Sequence, residues 1–269
     1  MAVDKYGVHR VVKTKCNYMS DDMSQGLIQG FELHRKESDF TGRFVSVGVS
    51  SYPLLETHVS NILHPNELKY FVSLAAERRR ISYLLGRFAA KKALCACLGE
   101  VRFADINIAP GVFKNPVIHF PMDEPFHVSI THSGSMACAI AFPAVHPLSL
   151  DIEAIDAEKV PAMATQYLES ERIEATNLGL DVPAASTLIW TAKESLSKML
   201  CTGMMCPFTV FQLHSIIKLN DDEYQGLYKN FTQYKFHSWL DDNYILTITL
   251  PKWTDISFDA RKPRLMNST

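Results

Sequence analysis

Leu188-Ile-Trp-Thr-Ala-Lys-Glu-Ser-Leu-Ser-Lys-Met-Leu200 reads as a helix: Leu188, Leu196, Met199 and Leu200 supply apolar spacing, and no Gly or Pro interrupts it. At about 3.6 residues per turn, Trp190, Glu194 and Lys198 fall along one side. A carboxylate and an ammonium therefore share a strip, with an aromatic ring one turn before them. Upstream, Leu148-Ser-Leu-Asp-Ile-Glu153 alternates as a strand does, so Asp151 and Glu153 point to the same side. Packing that strand on that helix would gather Asp151, Glu153 and Glu194, with Lys198 beside them. Three hard oxygen donors near a cation suit Mg2+ and a phosphate substrate. A plainer reading stands beside this one. Glu194 and Lys198 at i,i+4 make a solvated helix pair worth about 0.2–0.5 kcal/mol, and Asp-x-Glu can lie on a solvent-facing edge.

The 269 residues are 47% hydrophobic and 21% charged, enough for one large domain or two of ordinary size with a full core. A net charge of −2 gives no overall pull toward nucleic acid or anionic membrane, so an anionic ligand must be met by a local basic cluster. The first residues, Met1 to Cys16, carry charge throughout and lack the apolar run of a secretory signal. No stretch approaches the ~18 apolar residues of a membrane span. Cys16, Cys95, Cys97, Cys138, Cys201 and Cys206 form no CxxC pair and read as reduced thiols of a cytoplasmic protein. No Gly-x-x-x-x-Gly-Lys-Ser/Thr loop occurs, which argues against a P-loop nucleotidase.

The second half of the chain repeats the first. Glu67 and Glu171 lie 104 residues apart, and the same shift lays Phe44–Val49 on Leu148–Glu153 and Leu84–Lys91 on Leu188–Ser195. Phe103–Ile108 matches Phe208–Leu213 at a shift of 105, and Phe126-His127 with its hairpin matches Phe236-His237 at 110. Strand, helix, long helix, strand and hairpin appear twice in order. The expected fold is α+β: two duplicated α/β halves about a pseudo-two-fold, each a small antiparallel sheet packed on a long helix. The expected division is an N-terminal extension or peripheral hairpin (1–43), an N-terminal half (44–145), a C-terminal half (146–250) and a solvated tail (251–269). A cleft between two facing halves is a common place for a ligand.

These motifs resemble those of the Sfp-type 4'-phosphopantetheinyl transferases, enzymes that activate carrier proteins. The similarity rests on the Asp-x-Glu strand Leu148–Glu153 and on the helix Trp190-Thr-Ala-Lys-Glu-Ser-Leu-Ser-Lys198. Ser129-Ile-Thr-His-Ser-Gly134, Arg79-Arg-Ile-Ser-Tyr-Leu-Leu-Gly-Arg87 and Gly111-Val-Phe-Lys-Asn-Pro116 add to it. Ser149, Ser129 and Thr131 replace the family's usual Gly, Asn and Ser, and Cys201 stands where Gly is common.

The resemblance implies transfer of 4'-phosphopantetheine from coenzyme A to a carrier-protein serine, with release of 3',5'-ADP. Asp151, Glu153 and Glu194 would bind Mg2+, and Asp151, Glu194 and Lys198 would be catalytic. Lys198 would serve the departing nucleotide, and Glu194, directly or through a metal-bound water, would be the base. Thr131, His132 and Lys193 would lie on the coenzyme phosphates. Arg80, Arg87 and Lys114 would take the 3'-phosphate and adenine end. Glu171 falls where the family often has a Glu near the metal. The implied partners are coenzyme A and acyl or peptidyl carrier proteins, served by a monomer without nucleic acid or membrane. A metal-dependent hydrolase of coenzyme A and a non-catalytic coenzyme A-binding protein are the rival classes.

Overall fold

Two runs of alternating strand, each followed by short helices and one long helix, give two antiparallel sheets that each carry a long helix on one face. The computed structural model describes residues 25–266. The first half holds β1 (Leu27–His34), β2 (Asp39–Gly48), α1 (Tyr52–Thr57), α2 (Val59–Ile62), α3 (Pro65–Ser73) and the long α4 (Glu77–Leu98). It continues with β3 (Asn107–Pro110), β4 (Pro116–His119), β5 (Phe126–Ser133) and β6 (Met136–Pro143). The second half holds β7 (Ser149–Ala154), α5 (Val160–Ala164), α6 (Glu169–Asn177) and the long α7 (Val182–Met199). It closes with β8 (Leu213–Asn220), β9 (Glu223–Tyr228), β10 (Tyr234–Asp241), β11 (Tyr244–Pro251) and β12 (Asp255–Phe258). The sheets run β12-β1-β2-β6-β5 and β7-β11-β10-β9-β8, with β3-β4 as a separate pair.

Three cores follow from the alternation. Val45 and Val47 face α4 with Leu84, Phe88 and Leu94. Leu188, Ile189 and Leu196 of α7 pack with Phe236 and Ile245. The opposite faces of the two sheets meet in a third core that includes Phe44, Ile140, Leu150, Ile152 and Ile248.

The duplication is real, but one constant shift does not describe it. β6 pairs with β2 and β11 with β7, so that Val45 opposite Ala139 corresponds to Asp151 opposite Thr247, a shift of 106. The hairpins correspond at 108, since Phe126 faces Pro143 and Tyr234 faces Pro251. Even the turn repeats: Gly134 and Asp242 both take positive φ, 57° and 49°. Phe103–Asp105 and Phe208–Phe211 are helical turns rather than strands, and pairing begins only at β3 and β8.

Two buried ion pairs brace the halves in the same way. Glu67 accepts from the backbone N–H of His64 (2.9 Å) and Ile108 (3.0 Å) and is bound by the Lys91 ammonium. Glu171 accepts from the N–H of Leu168 (2.7 Å) and Leu213 (2.8 Å) and is bound by Lys193 at 2.9 Å. Burial pushes both lysines below their ordinary pKa, with their glutamates pulling the other way. Lys91 and Lys193 therefore correspond, at a shift of 102, and the long helices align two residues away from the expected 104. Lys193 and Glu171 thus tie α6, α7 and β8 together and do not face a phosphate or a metal.

The expected boundaries also move. Residues 1–24 of the proposed extension lie outside the described residues. From Leu27 onward, however, the chain is sheet: Phe31 and Leu33 of β1 are core residues. β12 pairs with β1, and Asp259 accepts from Gly30 N–H at 2.8 Å. A Cβ at position 30 would stand 2.5 Å from that carboxylate, so the close approach needs glycine. Lys262 forms ion pairs with Asp222 (2.5 Å) and Asp241 (3.3 Å), while Ser46 donates to Arg264 O at 3.1 Å. The segment 255–266 is thus a strap joining both sheets rather than a solvated tail.

Replacing Lys193 with Met strands a buried carboxylate, and urea unfolding is expected to show a loss of about 3–5 kcal/mol. Adding Glu171→Gln to that variant is expected to cost less than the sum of the two single changes.

Candidate active site

The two sheets meet where β5 ends one and β7 begins the other. The backbone N–H groups of Leu150, Ile152 and Ala154 point out of β7 at this seam, and no strand pairs with them. Hydroxyls of β5 take them instead: Ser129 Oγ from Leu150 N (3.2 Å), Thr131 Oγ1 from Ile152 N (3.2 Å), Ser133 Oγ from Ala154 N (3.0 Å). Alternation along β5 puts all three hydroxyls on one side. Two of them donate onward. Thr131 Oγ1 donates to Asp151 Oδ1 at 2.7 Å and Ser133 Oγ to Glu153 Oε1 at 2.6 Å.

Asp151 and Glu153 share the face of β7 turned toward α7, as the sequence alternation predicts. Ser149, on the same face, donates to Ser195 O of α7 at 2.5 Å and docks the helix beside Glu194. Lys198 Nζ reaches Asp151 Oδ1 at 2.6 Å, and Lys159, from the turn before α5, reaches Glu153 Oε1 at 2.5 Å. Glu194 makes no hydrogen bond or ion pair with any described residue. Burial raises its carboxyl from the ordinary 4.5 to about 7, the charges of Asp151 and Glu153 add to the rise, and Lys198 opposes it. Asp151, Glu153, Glu194 and Lys198 therefore do converge.

His132, on the opposite side of β5 from Thr131, joins the rim. Desolvation holds its pKa below the ordinary value, Lys198 and Arg78 lower it further, and Asp151 and Glu153 pull it back up. Arg78 is exposed at the start of α4.

The remaining expected ligands are engaged elsewhere. Thr131 serves Asp151 and the β7 backbone. Arg80 pairs with Glu56 at 2.7 Å and lies over Phe71, 5.1 Å from its centroid. Arg87 stands 3.3 Å from Glu67 and over the Tyr83 ring. Lys114 sits exposed in the β3–β4 turn at φ 63°, its backbone N–H donating to Gly111 O at 2.9 Å and its ammonium making no hydrogen bond or ion pair to a described residue. Trp190 packs against Phe208, centroids 5.2 Å apart. Reading the sequence missed Arg78, Lys159 and Ser133. Ser133 was findable, since it continues the Ser129, Thr131 alternation. Arg78 was not, because three consecutive arginines on a helix point three ways and only the neighbouring strand selects one. Lys159 lies in an aperiodic turn.

As posed, no three or more His, Cys, Asp and Glu side chains among the described residues stand ready to hold a metal ion. The lysines explain the pose, since each takes a carboxylate oxygen that an ion would use. The donor set nonetheless fits a hard dication. Burial lifts the Glu194 carboxyl to about 7 with the charges of Asp151 and Glu153 adding to the rise, and the bonds to Asp151 and Glu153 fall on one oxygen each. Asp151, Glu153 and Glu194 are the residues that would hold it.

A family model described as the 4'-phosphopantetheinyl transferase superfamily matches residues 147–249, the half that carries β7 and α7. A holo-[acyl-carrier-protein] synthase of Halalkalibacterium halodurans is 37% identical over 94 residues, covering 32% of this chain and 78% of the relative. Its counterpart in Anoxybacillus flavithermus is 41% identical over 87 residues, covering 30% of this chain and 72% of the relative. A solved holo-(acyl-carrier-protein) synthase from Bacillus anthracis, in complex with CoA (3',5'-ADP), is 22% identical. It covers 44% of this chain and 97% of that one at a TM-score of 0.35.

The pKa of Glu194 fixes a pH dependence. Between pH 4.5 and about 7 the folded protein holds a proton that the unfolded chain has released. The stability from this group is therefore present at low pH and lost as pH rises through about 7. Comparing urea midpoints at about pH 5 and about pH 8, Glu194→Gln is expected to gain on the unaltered protein at the higher pH.

Proposed function

The chain belongs to the 4'-phosphopantetheinyl transferase superfamily, and from that membership we propose that it transfers the 4'-phosphopantetheine group of coenzyme A to a serine of an acyl or peptidyl carrier protein. In this reading Mg2+ is the cofactor and 3',5'-ADP the leaving product. The observation that carries it is the convergence of Asp151, Glu153 and a desolvated, unpartnered Glu194 beside Lys198 at the seam between two halves. Two duplicated halves within one chain support the Sfp-type branch in particular. They also support a monomer, because the second half already supplies the facing lobe. Five described cysteines are free thiols, in keeping with a reducing cytoplasm, and no described helix is long and apolar enough to cross a membrane.

The chemistry demanded is positioning and charge neutralisation at a diphosphate. Held by Asp151, Glu153 and Glu194, Mg2+ would neutralise part of the diphosphate charge. Glu194 takes the proton from the attacking serine Oγ. A carboxylate raised to about 7 is well matched to that task near neutral pH. The new serine Oγ–phosphorus bond forms as the phosphorus–oxygen bond to 3',5'-ADP breaks. The Lys198 ammonium, 2.6 Å from Asp151 Oδ1, would neutralise or protonate the departing phosphate. Exposed Arg78 and His132 line the rim from the first half and offer cationic or hydrogen-bonding contacts to the coenzyme phosphates.

Mass spectrometry of an apo carrier protein incubated with coenzyme A, Mg2+ and this chain is expected to show a gain of one phosphopantetheine. Glu194→Gln is expected to keep the fold and lose about 10²–10⁴-fold in rate. Free phosphopantetheine released to water, with the carrier protein unchanged, would mean a hydrolase instead. Near-normal turnover in the variant would remove Glu194 from the role of base.

A further inference from the structure

We propose that Lys159 is a second phosphate-binding lysine of this site, held on Glu153 in the ion-free protein as Lys198 is held on Asp151. The assignment rests on the transferase reading above and deepens it. Thr131, Asp151 and Lys198 form a chain of hydroxyl, carboxylate and ammonium, with links of 2.7 and 2.6 Å. Ser133, Glu153 and Lys159 form the same chain two residues further along both strands, with links of 2.6 and 2.5 Å. In each chain the hydroxyl also accepts from the β7 backbone, so the carboxylate is anchored from behind. In each, hydroxyl and ammonium meet the same carboxylate oxygen.

The two lysines arrive from different elements, α7 and the turn into α5. That turn is set: Asp156 accepts from Glu158 N–H at 2.9 Å and its carbonyl accepts from Lys159 N–H at 3.1 Å. Lys159 is thereby carried back toward β7. The exposure of the pairs is matched too. The Lys159 and Lys198 side chains are 42% and 30% exposed, against 18% and 8% for Glu153 and Asp151. The lysines are the outward partners and the carboxylates the inward ones.

Charge explains why such a device is useful. With Glu194 ionised the three carboxylates outnumber the two lysines by one charge, and a dication would reverse that balance to the sign that attracts a diphosphate. Were Asp151 and Glu153 to hold the ion, Lys198 and Lys159 would be freed at the mouth of the cleft, where a phosphate oxygen would offer each a charge-assisted bond. Lys159 would then grip one phosphate from the α5 side while Lys198 grips from α7.

The test uses the full chain, Lys159→Met and Lys159→Arg, with calorimetry and Mn2+ electron paramagnetic resonance. Removing the ammonium removes a competitor for Glu153, so Lys159→Met is expected to bind Mn2+ alone about twofold to fivefold more tightly. With Mn2+ present, the same variant is expected to bind coenzyme A about tenfold more weakly. Lys159→Arg should recover most of the coenzyme affinity. A merely structural surface pair would not move the two affinities in opposite directions. Unchanged or weaker Mn2+ binding, or unchanged coenzyme A binding, overturns the assignment to Lys159 and leaves the transferase reading intact. An unaltered chain that binds neither Mn2+ nor coenzyme A overturns both.

Discussion

An outer strand buried inside a protein must find partners for its outward N–H groups, and at β7 those partners are side chains rather than another strand. Ser129, Thr131 and Ser133 stand in for a backbone ladder. A hydroxyl can do this because it accepts one hydrogen bond and donates another, whereas a paired strand would consume both edges. The spare donors go to Asp151 and Glu153. One set of bonds therefore joins the halves and aims the carboxylates. Because the joint is made of side chains, the two strand edges stand further apart than a backbone ladder would hold them.

The same constraint explains why a duplicated fold carries one such site. The counterpart of β7 is β2, whose outer edge is paired with β1, and β1 in turn with β12. No hydroxyl relay is needed there. By strand register, Val45 and Val47 occupy the places of Asp151 and Glu153 and pack under α4. Lys92 occupies the place of Glu194, and its ammonium donates to the carbonyls of Gln25 and, at 2.9 Å, Gly26. The strap through Lys262 and Arg264 then ties the two sheets on that side. One half has become the wall that faces the acidic half, its strands lengthened by β1 and β12.

What the sequence alone made legible tracks periodicity. The two long helices, the β5–β6 and β10–β11 hairpins and the acidic face of β7 were readable because a buried face repeats at a fixed interval. So was the duplication, though not its changing shifts, which are set by connections that carry no period. A hairpin was one of the readings for the first 43 residues, but the place of β1 within the core sheet escaped because its pattern is broken: Gln29 and Gly30 are sequestered by the strap, 229 residues or more away in the chain. β12 and the strap escaped for the same reason, since their partners are distant. At the site, Asp151, Glu153, Glu194, Lys198 and His132 were legible. Lys159 and Arg78 depended on which way a turn and a helix start were rotated, a matter settled by tertiary contacts.

The misplaced lysine is instructive about charged residues that adjoin on a helix. Lys193 and Glu194 are neighbours in sequence, and a motif treats them as a unit. On a helix, consecutive side chains point about 100° apart, so a pair cannot both face one cleft while the helix is packed on both sides. Lys193 turns inward to Glu171 and binds α7 to α6 and β8, while Glu194 turns to the seam. Lys91 and Lys92 divide the work in the same manner, the first going to Glu67 and the second to the start of the described chain. In both halves the inward lysine is a brace whose removal is felt as stability. The residue after it is a lysine, Lys92, in one half and a carboxylate, Glu194, in the other, and the brace beside it fixes the direction in which it points.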